Sequence, residues 1–183
     1  MRTKEYNCDD LFVNRWSPRT FTGESISDEQ LMALFEAARW APSSFNEQPW
    51  RIIYAKRDTP SWDKLFDLLA EPNKAWCKHA AALFVFVSSE HFTHNNKPNR
   101  THSYCTGAAW MSFALQASLM GLAAHGMAGF DYDRAKKELN IPDGFCVEAM
   151  AAVGVVPPTT SEEKTDRKPV KEFIFEGSMK EHR

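Results

Sequence analysis

Asn46 and Gln48 carry side-chain amides two positions apart in the segment Pro42-Ser43-Ser44-Phe45-Asn46-Glu47-Gln48-Pro49. If Phe45 to Gln48 run extended, the two amides share a face. An amide both donates and accepts hydrogen bonds. Such a face suits the uracil-like edge of a flavin ring, which does both. Ser43 and Ser44 add hydroxyls, and Pro42 and Pro49 fix the backbone at each end. The plainer reading is a helix-to-strand loop in which short polar side chains satisfy a turn.

A second group lies near the start, in Arg15-Trp16-Ser17-Pro18-Arg19. In an extended chain Arg15, Ser17 and Arg19 point the same way. Two guanidinium forks flanking a hydroxyl can grip a phosphate; a solvated basic turn is the alternative. Further on, Gly126 and Gly129 let backbone approach a ligand closely. His125, just before Gly126, is a candidate acid, or else a hydrogen-bonded structural histidine. His91 and His94 form an HxxH pair with no third ligand nearby, so no metal site is expected. The polar stretch from His91 to His102 reads as a mobile loop over a site.

The elements that must position these residues follow from patterning. Lys4 to Asn14 is predicted as a first helix, and Trp16 to Phe21 as extended chain after Pro18 ends it. Ser27 and Gln30 form a capping box, with Ile26 and Leu31 as its staple. Leu31, Leu34, Phe35 and Ala38 then recur at helical spacing. That helix should run from about Asp28 to Trp40 and stop before Pro42. Trp50 to Ala55 reads as a strand. Thr59 and Pro60 open another helix, with Pro at the tolerated first position, and Asn73 to His79 is a shorter helical piece. Ala82 to Val87 is a continuous apolar run, the mark of a strand buried on both faces.

Tyr104 to Met120 reads as a long helix buried all round, stopped at Gly121. Leu122 to Gly129 leads to a helix over Tyr132 to Leu139, with Asp131 as N-cap. Val147 to Val156 is a last strand. There is no internal repeat or interdomain linker, so residues 1–183 are expected to form one domain.

Composition narrows the function classes. The net charge is −2, which argues against a nucleic-acid surface. Thirteen Phe and six Trp imply a large aromatic core, an aromatic-lined cleft or a dimer interface. The four cysteines are widely spaced without CxxC, which points to free thiols in a reducing, cytoplasmic setting. No basic segment followed by an apolar one suggests a signal peptide. Ser103 to Phe130 lacks Asp, Glu, Lys and Arg, but interspersed polar residues make a buried helix the better reading than a membrane span. Neither a Rossmann GxGxxG nor a P-loop occurs.

Taken together, these blocks resemble the FMN-dependent nitroreductase family. Arg15-x-Ser17-x-Arg19-x-Phe21 is followed by a helix and then Ala41-Pro42-Ser43-x-x-Asn46-x-Gln48-Pro49-Trp50. Gly121 to Asp131 is similar to the third block and Arg167 to Val170 to the fourth. Trp16 stands where the family is often basic, and Ser44 where it often has Gly. The resemblance implies an α+β fold, with a central mixed β-sheet flanked by helices and a long buried helix at a dimer interface.

It also implies FMN as cofactor and NADH or NADPH as donor. A ping-pong transfer through flavin N5 would reach a small-molecule acceptor such as a nitroaromatic or quinone. Reductive dehalogenation, activated-alkene reduction and flavin binding without turnover are the alternatives. By resemblance Arg15, Ser17 and Arg167 would face the phosphate side, and Arg19 the negative charge near N1 of reduced flavin. Pro42, Ser43, Ser44, Asn46 and Gln48 would address the ring, as would backbone at Met127, Ala128 and Gly129. The chemistry would need no protein nucleophile and no membrane.

Overall fold

A computed structural model describes residues 2–179. Its frame is a four-stranded sheet in the order β1-β2-β4-β3. The strands are β1 (Trp50–Lys56), β2 (Ala82–Ser89), β3 (Leu122–Met127) and β4 (Phe145–Val155). β2 is buried from Ala82 to Ser88, as a run without alternation requires. All three strand pairings are antiparallel, where the resemblance implies a mixed sheet. The reason lies in the insertion of β4. β2 and β3 run in the same direction, joined by α5 (His102–Leu119), but β4 slots between them and pairs antiparallel with both.

Alternation along the strands sorts the core into two layers. Phe84, Phe86, Ala151 and Val153 point to the side covered by α2 (Asp28–Arg39) and α5. Leu83, Val85, Met150 and Ala152 point to the other side, covered by α3 (Pro60–Phe66), α4 (Glu71–Cys77) and α6 (Tyr132–Glu138). At the centre of the first layer Phe113 of α5 is fully buried. Its ring meets Phe84 edge-on at 4.9 Å and Phe86 at 5.5 Å, a favoured geometry because ring edges and faces carry opposite partial charge.

The local signals account for most boundaries. Ser27 Oγ accepts from Gln30 N, and the Gln30 side chain accepts from Ser27 N, so α2 starts at its capping box. Pro60 opens α3 at its first turn. Asp131 caps α6 by accepting from Arg134 N. α5 ends at Gly121, whose φ of +72° is the left-handed conformation that glycine adopts freely.

Other expectations need correction. The first helix, α1, spans only Asp10–Asn14, because Asp9 caps it by accepting from Leu11 N. Lys4 instead folds back on Asp10 and the Cys8 carbonyl. α4 begins at Glu71, two residues earlier than expected, with Pro72 in its first turn. β3 was not foreseen as a strand: Leu122-Ala-Ala-His-Gly-Met127 has no β-branched residue, and pairing with β4 imposes its conformation. α5 is not buried all round, since Tyr104, Met111 and Leu119 are exposed along one side.

Replacing Phe113 by Ala should cost about 3–5 kcal/mol, the usual range for emptying a phenyl-sized core site. Urea denaturation monitored by tryptophan fluorescence should show the lowered midpoint.

Candidate functional site

The segment Arg15 to Phe21 runs beside β3 rather than into solvent. His125 Nδ1 donates to the Pro18 carbonyl at 2.8 Å, and Thr22 N donates to Val155 O at 2.9 Å. Arg15 Nη1 donates to Ser17 Oγ at 3.3 Å, so these two side chains do lie together. Arg15 and Trp16 share a cavity of about 160 Å³ with Ala114, Ser118 and Ala124. Burial, then the nearby Arg167 and Arg2 guanidinium groups, hold the Arg15 pKa below its usual value. The fourth block therefore comes to the first, and Arg2 joins them. Mutual repulsion among guanidinium groups is what a bound phosphate would relieve. Glu162, from the segment after β4, accepts the Arg19 backbone N–H at 2.8 Å.

The third block forms the wall beside these cations. Trp76 of α4 lies 4.5 Å from the His125 ring, centroid to centroid, and 6.2 Å from Phe21. Asn73 Nδ2 donates to Gly129 O at 2.9 Å, and Trp76 Nε1 donates to Asn73 Oδ1 at 3.3 Å. A Cβ on Gly129 would lie 2.7 Å from Asn73 Nδ2, so a side chain there would displace the Asn73 amide. Met127 is buried, whereas Ala128 is exposed at the exit of β3. Asn73, Trp76 and Arg2 escaped the sequence reading. Asn73 and Trp76 look like ordinary residues of a short helix, and a single arginine near the start of a chain carries no spacing signal.

The second block adopts a different form from the expected one. Ser44–Asn46 make a 3-10 turn, and Phe45, Asn46 and Gln48 have φ of +53°, +54° and +50°. Asn46 and Gln48 therefore do not share a strand face. Gln48 N donates to Ser43 Oγ at 3.0 Å and Gln48 Nε2 to Asn46 O at 2.9 Å, so the Gln48 amide is turned onto the loop itself. Positive φ on a phenylalanine is costly and persists only where surrounding contacts impose it. Pro42 and Asn46 are exposed, while Ser43 and Ser44 are half-buried.

The contacts that hold this loop come from the His91 to His102 stretch. Glu47 accepts from Thr93 N at 2.8 Å, and its carboxylate lies 3.8 Å from His94. The Phe92 ring meets Phe45 edge-on at 5.7 Å. Among the described residues, no three His, Cys, Asp or Glu side chains converge as metal ligands.

The two halves of the expected site lie apart within one chain. Ser44 N contacts Cys105 Sγ at 3.5 Å, at the first turn of α5, whereas Arg15 and Trp16 share their cavity with Ser118 in its last turn. Those turns are roughly 20 Å apart along a helix rising ~1.5 Å per residue. The loop also leads into β1, one sheet edge, while His125 belongs to β3, the other edge. Three strand spacings separate those edges, roughly 14 Å.

Comparison with known proteins bears on this arrangement. A profile of the nitroreductase family matches residues 13–75, which include the first two blocks. A Streptomyces coelicolor protein named as a NADH dehydrogenase/NAD(P)H nitroreductase is 30% identical over 149 residues, covering 70% of this chain and 74% of that protein. The chain belongs to the nitroreductase family. A crystal structure described as an oxidoreductase containing FMN shares 42% identity and a TM-score of 0.93, over 98% of this chain and 96% of that one. A nitroreductase from Desulfovibrio desulfuricans, solved in complex with FMN, shares 25% identity and a TM-score of 0.75, over 93% of this chain and 96% of that one. The α+β fold of this nitroreductase-family chain is thus the fold of its solved relatives.

His125 allows a pH test of the wall. Burial pushes its pKa below the usual histidine value, outweighing the bond to Pro18. Arg19 and Arg15 also push it down, while Glu162 pulls it up. Between the folded and unfolded pKa the unfolded chain binds more protons, so stability rises with pH there. The contribution is complete above about pH 6.5 and is lost as pH falls through the lower folded value. Urea midpoints measured from pH 7.5 to 5 should fall less steeply for His125→Gln than for the wild type.

Proposed function

We propose that this chain is an FMN-dependent oxidoreductase that uses NADH or NADPH to reduce nitroaromatics, quinones or similar flat acceptors. The observation that carries this reading is the meeting of three arginines beside the Ser17 hydroxyl: Arg15 donates to Ser17 Oγ, and Arg2 ties the Arg15 carbonyl to the Thr165 carbonyl that Arg167 also reaches. That donor set fits a phosphate dianion, since each guanidinium offers a planar fork and each is relieved of repulsion by the anion. The adjoining wall fits a flat ring system: Gly129 and its backbone are held close to Asn73, and the His125 ring packs at a tilt against Trp76. When bound, FMN supplies reversible hydride and electron transfer between nicotinamide and acceptor in a ping-pong sequence.

The residues supply position and charge. Arg15, Ser17 and Arg167 hold the phosphate. Arg19 sets a cation near the ring, where it favours negative charge developing on reduction. The Met127, Ala128 and Gly129 backbone lines the ring. His125, with its proton on Nδ1 and given to Pro18, is uncharged at neutral pH and positions the 15–19 segment rather than acting as an acid.

Pro42, Ser43, Ser44, Asn46 and Gln48 serve the same site from a second copy of the chain. The separation of the two halves along α5 supports this, as does the exposed row Tyr104, Met111 and Leu119 on that helix. Packing α5 antiparallel on its copy about a two-fold axis would bring the first turn of one helix to the last turn of the other. Exposed Met32 of α2 and Trp40 at its C-cap would extend the apolar interface. Among the described residues no helix is long and apolar enough to cross a membrane.

Purified protein should show a flavin absorbance spectrum that bleaches on anaerobic addition of NADH or NADPH and recovers on adding a nitroaromatic or quinone. Arg15→Ala combined with Arg19→Ala should weaken FMN retention strongly; unchanged affinity would remove the phosphate assignment. A second experiment tests the split site. The double-arginine variant and an Asn46→Ala, Ser43→Ala variant, each inactive alone, should recover activity on mixing and subunit exchange, reaching about one quarter of the wild-type level. That fraction follows because half the dimers are mixed and each restores one of two sites. No recovery would place both halves in the same subunit.

A further inference from the structure

Arg2 lies between the two phosphate-side blocks. Its Nε donates to Thr165 O at 2.8 Å, and its Nη1 donates to Arg15 O at 2.9 Å and to Val13 O at 3.1 Å. Thr165 O also accepts from Arg167 Nη1 at 3.4 Å, so one carbonyl joins the Arg2 and Arg167 guanidinium groups. A second strap runs beside the first, where Val170 N donates to the Glu5 carboxylate at 2.9 Å.

This arrangement has an electrostatic oddity. Arg15 and Arg167 repel, and Arg2 adds a third positive charge instead of a compensating one. Glu163 and Asp166 line a cavity with Arg2, but like charges at short range destabilise. Arg2 has Asp166 nearby, but burial and the Arg167 charge outweigh it and lower the Arg2 pKa. Three carbonyl contacts therefore hold a cation against the repulsion of its neighbours. The fork of Arg2 donors thereby fixes the 13–15 and 165–167 backbones to each other, with the Arg15 and Arg167 cations brought together.

We infer that Arg2 is a positioning residue for the flavin phosphate: it clamps the Arg15 backbone to the 165–167 segment and thereby sets Arg15 and Arg167 around the dianion. The inference rests on the FMN reading above. It makes the discrimination between a phosphorylated and an unphosphorylated flavin depend on Arg2 through Arg15 and Arg167, whose segments Arg2 ties together. Phosphate binding in turn tightens the clamp, so the segment from Thr165 to Val170 gains protection when FMN binds.

Titration of apoprotein with FMN and with riboflavin, which lacks the phosphate, tests this directly. Arg2→Ala should raise the FMN dissociation constant on the order of tenfold and leave that of riboflavin within about twofold. Hydrogen exchange at Thr165 to Val170 should slow on FMN addition in the wild type and not in Arg2→Ala. Equal weakening of both flavins would show a merely structural arginine and overturn the inference. So would an unchanged FMN to riboflavin ratio in Arg2→Ala when Arg15→Ala abolishes it, and in that case the FMN reading would stand. A wild-type protein that binds FMN no tighter than riboflavin would overturn the phosphate assignment and the role of Arg2 together.

Discussion

The position of β4 is the constraint on which the rest of the structure depends. β2 and β4 are buried among other elements, and a buried backbone must have every N–H and C=O paired. β2 finds partners in β1 and β4, and β4 in β2 and β3. Once β4 is fixed between β2 and β3, the connection from β2 to β3 has to cross over it. α5 is that crossover, and its packing against Phe84 and Phe86 through Phe113 sets its path across the sheet. The two ends of α5 then fall near opposite sheet edges.

That geometry decides where chemistry can be built. The β3 edge receives the Arg15 to Arg19 segment, the 165–167 segment and the Asn73–Trp76 face of α4. The β1 edge receives the 42–48 loop, locked by Glu47 against Thr93 and by Phe45 against Phe92. Each assembly is well supported by its own contacts, and each supplies one half of the proposed flavin site. An apolar row along α5 between them offers the surface by which two chains could join the halves. The proposed dimer and the proposed cofactor site are thus one hypothesis about the same helix.

Electrostatics gives the β3 side its distinct character. Positive charges from three segments gather there, while Glu162 is spent on the Arg19 amide rather than on a guanidinium. His125 stays uncharged among them because burial and its arginine neighbours disfavour a further proton. On the proposed reading a phosphate would answer the charge of that arrangement, and a reduced ring with negative charge would answer Arg19.

Much of this was legible in the chain itself. The capping box at Ser27 and Gln30, Pro60 at a first turn, Asp131 at an N-cap and the apolar run of β2 are local signals, because the atoms they concern are near neighbours in sequence. The blocks around Arg15, Pro42, Gly121 and Arg167 were likewise visible as patterns, and the family followed from them. Tertiary structure decided what those signals could not. β3 became a strand because β4 lay beside it, although its own residues favour no strand. The sheet became antiparallel through insertion of β4, a fact about pairing partners distant in sequence. The Asn46 and Gln48 amides parted because contacts from Thr93 and Phe92 hold their loop in a left-handed turn. Arg2 found Arg15 and Thr165 only after folding, since a hydrogen bond spanning most of the chain leaves no spacing to read.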